Sequence, residues 1–452
     1  MGLILAYLVV LPLSTYLEIH GSPLWGSLPS FLLAGAVLQL LASPAPVGVG
    51  RPARGLTALV VAYGGLAVVQ AFNPALPSVT LGLRGARLFV EPLLLFFVGV
   101  EVARRPELLR RVLTTVAVVG GVVALYAIRQ ALVGFDPTEA AWYRRSFAVS
   151  YREQRVFGTM AGATVLGHHG PRWMARARPR QATSAMWWPA WGGLAAVCGW
   201  VALLTGQRGV LLAFGAGIAV VLGLALSRPE TRHGAARAGQ AVTVVAALVV
   251  ALAVATPVQD RRLASAEGTS AFQAARIKLA QLKAGGDERS LALRVQRVGE
   301  MVDAVGTVPL GAGTGLHLLV DRQRVARTSV LGASGLGDET YEPPVAPIPG
   351  ELYWYTVGTE LGVVGLGLLV GLLLFGIVTA GGVAVRLRDP ERALVGLVAA
   401  GYLTVVVVDS GSVDAMTSDQ VASYAWLLLG MVGTWAHAAH RTPAVDDVAV
   451  AA

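Results

Sequence analysis

The stretch LYWYTVGTELGVVGLGLLVGLLLFGIVTA, residues 352–380, holds one charged residue, Glu360, in 29 residues. A helix rises about 1.5 Å per residue and a bilayer core is about 30 Å thick, so this run predicts a membrane-spanning helix. Similar runs recur along the chain, which is 55% hydrophobic and 14% charged. Soluble domains carry about 25% charged residues. These features predict an all-α, polytopic membrane protein.

The arginines of short loops predict how the chain crosses the membrane, because cytoplasmic loops collect Lys and Arg. One set of loops and the tail holds 17 basic residues, whereas the short loops of the opposite set hold five. Arginine-rich and arginine-poor loops alternate along the chain only if a weakly apolar segment, residues 156–170, also crosses the membrane. The alternative is that this segment enters the membrane and returns to the same side. We therefore expect about 12 spans, with both termini in the cytoplasm. The eleven strong candidates are residues 2–17, 25–43, 56–72, 80–102, 112–132, 187–205, 209–227, 240–257, 352–380, 393–409 and 420–438.

The predicted spans divide the chain into four parts. They are spans one to nine in residues 1–257, a large extracytoplasmic loop in 258–351, spans ten to twelve in 352–440, and a cytoplasmic tail in 441–452. Within the loop, apolar residues recur at helical spacing over residues 288–305. Pro309 and the glycines of GAGTG (311–315) predict the end of that helix.

The cysteine and charge content argue against a disulfide-linked, a metal-binding and a nucleic-acid-binding protein. Cys198 is the single cysteine and lies in an apolar run, so no intrachain disulfide can form. No Cys/His cluster has the spacing of a metal site, and we expect neither a metal nor another cofactor. The net charge of +9 is explained by loop arginines, so we expect membrane lipids rather than nucleic acid as partners.

Three charged residues share one face of the predicted span 80–102. Arg84, Arg87 and Glu91 follow one another at i, i+3 and i+7, and ionisable groups inside a span indicate function. One interpretation is an ion pair that holds helices together, with the arginines reaching toward the interface. The other is an anionic ligand, because two arginines for one carboxylate leave surplus positive charge.

Further arginines lie on the same predicted outer face. Arg208 lies in LLTGQRGVLLA between two spans, Arg155 precedes the weak segment 156–170, and Arg294 lies on the predicted loop helix. Arg208 runs against the positive-inside bias, although an arginine reaching to the interface would also explain it. Since arginine binds phosphate oxygens bidentately, the set indicates a phosphate or diphosphate site.

Two glutamates flank the start of the tenth span. Glu351 precedes it, and Glu360 follows nine residues later. Glu351 is either a functional carboxylate or one that stabilises a helix N-terminus. Glu360 is either functional or a polar contact between helices. The intervening Tyr353, Trp354 and Tyr355 are typical of a membrane interface.

Three segments, in this order, resemble the superfamily of O-antigen ligases and polysaccharide polymerases. TGQRG at 205–209 is similar to a Thr-Gly-Ser-Arg-Gly segment between two spans of that family. Arg294 followed by VPLGAGTG at 308–315 resembles the family's outer helix and its Pro-x-Gly-x-Gly turn.

The third segment begins at Glu351 and matches the family's spacing of His-Asn, nine residues and Gly-x-x-Gly. Gly362 and Gly365 occupy the glycine positions. Glu351 stands where the ligases have histidine, and an acidic residue there is more similar to the polymerase branch. Arg155, in RVFGT, also resembles a family position.

The resemblance implies a GT-C-like fold in the plasma membrane and a metal-independent glycosyl transfer with inversion. The donor would be a polyprenyl-diphosphate-linked oligosaccharide, and the acceptor a glycan or lipid hydroxyl outside the cytoplasm. Glu351 would act as general base, and Arg208 would stabilise charge on the leaving diphosphate. The residues implied to bind the diphosphate are Arg155, Arg84, Arg87 and Arg294. Those implied to support the site are Glu91, Glu360, Gly362 and Gly365.

Two other functions fit the same residues. Intramembrane Arg and Glu also suit a transporter or flippase for an anionic or lipid-linked substrate, although no inverted repeat is evident in the sequence. The second is an inactive scaffold for assembly of the cell envelope, because the ligase histidine is missing and segment 156–170 is a poor span.

Overall fold

The structure, a computed structural model, describes residues 2–42, 54–147, 208–228, 288–318, 353–411, 416 and 419–441. Over that part of the chain it contains helices and turns but no strand, which confirms the all-α prediction there. Five segments are long and apolar enough to cross a membrane: Gly2–His20, Trp25–Ala42, Pro106–Gln130, Tyr353–Arg386 and Pro390–Ser410.

The described helices follow the predicted order. They are α1 Gly2–His20, α2 Leu28–Ala42, α3 Arg54–Gln70, α4 Val79–Arg104, α5 Pro106–Val133, α6 Pro137–Phe147, α7 Arg208–Leu226, α8 Glu288–Thr307, α9 Tyr353–Arg386, α10 Pro390–Ser410 and α11 Asp419–Arg441. A short 3-10 helix, Pro23–Ser27, precedes α2. The predicted spans 187–205 and 240–257, and the weak segment 156–170, lie outside the described residues. The number of 12 spans stays a prediction.

Four predicted spans are helical but are not among the five membrane-crossing segments. Helix α3 is 17 residues long, and the apolar part of α7, Leu212–Leu226, is also short. Helices α4 and α11 are long enough but more polar. Helix α11 is buried along nearly all of its length, so its polar side chains meet other helices rather than the surroundings.

Helices α4 and α11 form the centre of the bundle. Their backbones touch where glycine faces glycine: a Cβ on Gly430 would lie 2.0 Å from the Phe96 carbonyl oxygen, and one on Gly99 would lie 2.1 Å from that of Leu427. Small residues allow such close approach and good dispersion contact between helices in lipid. Phe96 and Trp426 are buried beside this contact.

One end of the bundle, here called the arginine end, contains the starts of α5 and α10 and the ends of α4 and α11. Arg110 of α5 lies 3.1 Å from Glu391 of α10. Trp435 of α11 donates through its indole N–H to the Ala103 carbonyl of α4 at 3.3 Å. The Arg392 guanidinium lies 5.8 Å from the Trp435 ring centre. These contacts bring together the loop arginines that the sequence predicts on one side of a membrane.

The opposite end, here called the turn end, holds the segment 308–315 between α3, α4 and α9. Helices α1 and α11 run antiparallel between the two ends. The Tyr7 hydroxyl lies 2.7 Å from Ser423 Oγ, and the Gln420 side chain donates to the Leu11 carbonyl at 3.0 Å. The C-terminus of α1 and the N-terminus of α11 therefore lie at the turn end.

Helix α8 lies against the first turns of α9. Ala304 and Met301 contact Tyr355, and Val305 packs on Gly358. Val298 and Val302, on the apolar face that the sequence predicts, are 47% and 60% exposed. That face is therefore only partly used for packing. The helix ends at Thr307, just before Pro309, as predicted.

Candidate functional site

The segment VPLGAGTG, residues 308–315, is inserted against a break in α9 and is here called the docked turn. In an unbroken helix the Val363 amide would donate to the Thr359 carbonyl. Instead, the Val363 amide donates to the Pro309 carbonyl at 2.9 Å, and the Thr359 carbonyl accepts from the Ala312 amide at 2.8 Å. The docked turn thus supplies partners for the backbone groups that the break exposes.

Glycines make this fit possible. Gly362, at the break, has φ +71°, and a Cβ there would lie 2.4 Å from the Pro309 carbonyl oxygen. Gly311 has φ +88°, another conformation that favours glycine. A Cβ on Gly365 would lie 2.2 Å from that of Leu361 in the turn before the break. The predicted supporting glycines therefore shape the break itself.

The end of α3, the turn that follows it and the backbone of α4 hold the other side of the docked turn. The Gln70 side-chain amide donates to the Leu310 carbonyl, and that of Asn73 donates to the Gly311 carbonyl at 3.1 Å. The Thr314 hydroxyl, fully buried, donates to the Gly82 carbonyl at 2.8 Å. Three separate parts of the membrane domain therefore bind one eight-residue segment.

Glu360 lies at the centre of this contact and is fully buried. Its Oε2 accepts from the Gly315 amide at 2.9 Å. Its Oε1 accepts from the His317 amide at 2.8 Å and lies 2.6 Å from His317 Nδ1. A buried carboxylate needs such donors to offset its loss of hydration. These contacts join α9 to the segment that follows α8.

Arg87 and Glu91, two of the three charged residues that the sequence places on one face of α4, form an ion pair within that helix. Arg87 Nε donates to Glu91 Oε2 at 2.7 Å, and its NH2 group donates to Ser30 Oγ of α2 at 2.7 Å. Arg84 is exposed and directly precedes Gly85, which packs against Gly315 of the docked turn. Arg84 therefore lies beside the turn, whereas Arg87 joins α4 to α2.

The backbone places Arg208 at the turn end. Helices α7 and α10 run antiparallel: Gly217 packs against Gly401, and the Arg228 guanidinium donates to the Leu387 carbonyl at 3.1 Å. Because Arg228 is near the arginine end, the N-terminus of α7 at Arg208 lies at the other end.

Three more predicted site residues are placed only in part or not at all. Helix α8 carries Arg294 on the element that leads into the docked turn. Glu351 lies two residues before α9 begins at Tyr353, and it is outside the described residues, as is Arg155. The Tyr353 hydroxyl lies 3.3 Å from that of Tyr63 on α3, which fixes the start of α9 beside that helix.

A second buried carboxylate, Glu139, joins α6 to α5 at the turn end. His20, Asp136 and Glu139 bring possible metal-ligating atoms within 4.8 Å of one another. The Arg129 guanidinium lies 3.0 Å from the Glu139 carboxylate and opposes a metal cation there. The groups that donate to Glu139 are the side chains of Tyr126, Arg129 and Gln130 and the amide of Asp136.

Sequence reasoning missed Gln70, Asn73 and His317. Gln70 and Asn73 are polar residues at the end of an apolar run, which is an ordinary way for a span to end. His317 follows the glycine turn without a motif of its own. Their partners are far away in sequence, 240 residues for Gln70 and Leu310, so no local pattern reveals the contact.

Known proteins offer no direct guide to this site. A scan against models of protein families found no match for the chain, and neither did a search of curated proteins.

Proposed function

We propose that the protein is a membrane glycosyltransferase that moves a glycan from a polyprenyl-diphosphate carrier to a hydroxyl of a glycan or lipid acceptor. One observation carries this proposal: the docked turn 308–315 binds the break in α9 at Thr359–Val363. Two segments that resemble the same family, from separate parts of the chain, thus meet at the residues that carry the resemblance.

The position of Arg208, which belongs to the first of the three segments, supports the proposal. Arg208 starts α7 at the turn end, where α9 also starts two residues after Glu351. Arg84 is exposed beside the docked turn, and α8 brings Arg294 to the same end. Arg84 and the helices that carry Arg208 and Arg294 therefore lie at the end of the bundle opposite the arginine end.

The chemistry follows from these residue types. An acceptor hydroxyl attacks the anomeric carbon, and the bond from that carbon to the diphosphate oxygen breaks. In the proposed site Glu351 takes the hydroxyl proton, and Arg208 stabilises the negative charge that develops on the leaving diphosphate. About 12 spans, a GT-C-like arrangement, a plasma-membrane location and cytoplasmic termini belong to this proposal.

A transporter is the second candidate, because α9 is a discontinuous helix. Transporters use broken helices near the bilayer midplane to bind ions and substrates. In this protein the break lies ten residues into a 34-residue helix, toward the turn end. Its backbone groups already bind the docked turn, which makes transport the weaker candidate.

The test compares the purified full chain with variants in the presence of EDTA. The substrates are undecaprenyl-diphosphate-linked oligosaccharides, and the readouts are glycan length, anomeric configuration and released undecaprenyl diphosphate. The variants are Glu351→Ala and Arg208→Ala, and the matched controls at the arginine end are Glu391→Ala and Arg110→Ala.

Longer glycans with inverted configuration, made by the wild type and the controls but lost in both site variants, would support a polymerase. Transfer of one glycan to an added lipid acceptor would support a ligase. Absence of diphosphate release from every donor, or equal activity in all variants, would contradict the proposed transferase. Movement of the donor across proteoliposome membranes without cleavage would favour the transporter.

A further inference from the structure

The arginine end of the bundle carries an excess of positive charge. Among the described residues, positions 54, 101–111, 228, 386–392 and 441 lie at the helix starts, helix ends and connections of this end. Together they hold ten arginines and four carboxylates. Carboxylates of the described residues can therefore pair one to one with fewer than half of these arginines, and the end as a whole attracts anions.

Two exposed arginines at this end, Arg111 near the start of α5 and Arg388 two residues before α10, form no ion pair with the described residues. Their neighbours are already paired, Arg110 with Glu391 at 3.1 Å and Arg392 with Asp389 at 3.3 Å. The contact between Arg110 and Glu391 joins the start of α5 to the start of α10. Arg111 and Arg388 therefore belong to one region of the surface, where their charges are available to a bound anion.

An exposed apolar stripe runs along α5 from Arg111 toward the turn end. Val118, Val122 and Leu125 follow Arg111 in the sequence at spacings that place all four residues on one face of the helix. The three apolar side chains are 57%, 51% and 70% exposed. From Arg111 to Leu125 the helix rises about 21 Å, which is more than half of a bilayer core about 30 Å thick. One face of α5 thus presents a cation followed by an apolar stripe longer than one leaflet.

We propose that α5 and the connection between α9 and α10 bind an anionic phospholipid at the arginine end. The lipid phosphate binds Arg111 and Arg388, and an acyl chain lies along Val118, Val122 and Leu125. Arginine binds phosphate oxygens bidentately, which gives the headgroup a defined position. The sequence predicts this end in the cytoplasm, and the cytoplasmic leaflet is the one that carries anionic lipids. This binding does not depend on the proposed glycosyl transfer.

The apolar stripe favours a lipid over a soluble anion. A free phosphate ion would contact the arginines alone, whereas a phospholipid also covers the valine and leucine side chains. Glu107 is exposed one turn before Arg111 on the same face, on the side away from the stripe. Its carboxylate repels an anion that approaches from solvent, and it lies farther from a phosphate held at the membrane side of Arg111.

The experiment measures which lipids the full chain retains. Protein is taken from nanodiscs of mixed phosphatidylglycerol and phosphatidylcholine, and the lipids that stay bound in mild detergent are counted by native mass spectrometry. Arg111→Gln with Arg388→Gln removes both charges, and Arg111→Lys with Arg388→Lys is the matched control that keeps them. Inorganic phosphate is added as the soluble competitor. The melting temperature in pure phosphatidylcholine shows whether each variant is folded.

We expect the wild type to prefer phosphatidylglycerol and the glutamine variant to lose about 30-fold of that preference, since each arginine near an anionic surface contributes about fivefold. The lysine variant keeps the preference, and inorganic phosphate does not displace the lipid. If the double glutamine variant is unstable in phosphatidylcholine, Arg111→Gln and Arg388→Gln are measured singly, and each loses about fivefold.

Three results would overturn the proposal. The first is a wild type without preference for phosphatidylglycerol, or a preference that the glutamine variant retains in full. The second is a loss in the lysine variant as large as in the glutamine variant, since the charge is then not the cause. The third is displacement of the lipid by inorganic phosphate, which would assign the arginines to a soluble anion.

Discussion

At the arginine end of the bundle the partly exposed Glu391 carboxylate meets a guanidinium group, whereas at the turn end the Glu360 carboxylate is buried among backbone amides and an imidazole. Glu391 and Arg110 are 25% and 54% exposed and lie 3.1 Å apart. Glu360 is fully buried and binds two amides and a ring nitrogen. The same residue type therefore has two different environments at the two ends.

The difference determines how each end responds to substitution. An exposed ion pair is replaced by water when it is broken, so it contributes about 0–1 kcal/mol. A buried carboxylate and the donors around it have no such replacement, so one change leaves several groups unsatisfied. We therefore expect the turn end to be sensitive and the arginine end tolerant.

The largest expected effect is at Gly362. Gly362→Ala places a Cβ 2.4 Å from the Pro309 carbonyl oxygen and forces alanine into φ +71°. We expect a loss of about 2–5 kcal/mol, the sum of the left-handed backbone cost and an overpacking cost. The measurement is reversible unfolding in detergent micelles. The docked turn should also become sensitive to protease.

Gly367→Ala is the control for this substitution, since Gly367 lies in the same helix and no atom of the described residues lies within 4 Å of the added Cβ. It should be neutral or slightly stabilising, because alanine favours a helix by up to about 1 kcal/mol over glycine. Equal stabilities of the two alanine variants would mean that the docked turn is not bound to the break.

The next effect is at Glu360, where the comparison between the ends is most direct. Both oxygens of the Glu360 carboxylate accept hydrogen bonds. In Glu360→Gln one of them becomes an NH₂ group, which cannot accept and faces either the Gly315 amide or the two His317 donors. We expect a loss of about 1–3 kcal/mol in the free energy of unfolding. Glu391→Gln, at the arginine end, should cost about 0–1 kcal/mol, and less at high salt.

Unfolding of both glutamine variants at low and high salt tests this prediction. A cost at Glu391 equal to or larger than that at Glu360 would contradict the distinction between the two ends.

The smallest effect is at Thr314. Thr314→Val removes the hydroxyl that donates to the Gly82 carbonyl at 2.8 Å while keeping the side-chain shape. We expect a loss of about 1 kcal/mol. Thr307→Val is the control, because the Thr307 hydroxyl donates within its own helix, to the Asp303 and Ala304 carbonyls.

Thermal unfolding under identical detergent conditions gives the difference between the two valine variants. A greater loss for Thr307→Val would indicate that the buried bond to α4 does not hold the docked turn.

Much of the helical architecture could be predicted from local patterns. The runs at 352–380 and 393–409 became the long apolar helices α9 and α10, because a long apolar stretch has one way to satisfy its backbone in lipid. The end of the loop helix before Pro309 was also readable, since proline has no amide to donate. Helices α4 and α11 were predicted as spans, but they are not among the five segments long and apolar enough to cross a membrane, because helices buried in the bundle tolerate polar groups.

The candidate site was predictable in its glycines and less so in its polar contacts. The family resemblance implied Gly362 and Gly365, and in the structure an added Cβ at either position would meet a neighbouring atom at 2.4 Å or less. The roles predicted for Arg208, Arg294, Glu351 and Arg155 stay predictions. The partners of Glu360 depend on where the chain returns 45 residues away, which no periodicity records.

The sequence alone predicts a helical, strongly apolar protein whose basic residues concentrate in one set of loops. These properties depend on composition and on spacing within one helix, so they can be read locally. Only the tertiary structure decided that the turn 308–315 enters the break in α9 and that His317 meets Glu360. Those contacts depend on backbone amides and carbonyls that the break in α9 exposes and that the docked turn binds. A hydrogen bond is short-ranged, so its partner is set by the packing of the whole bundle.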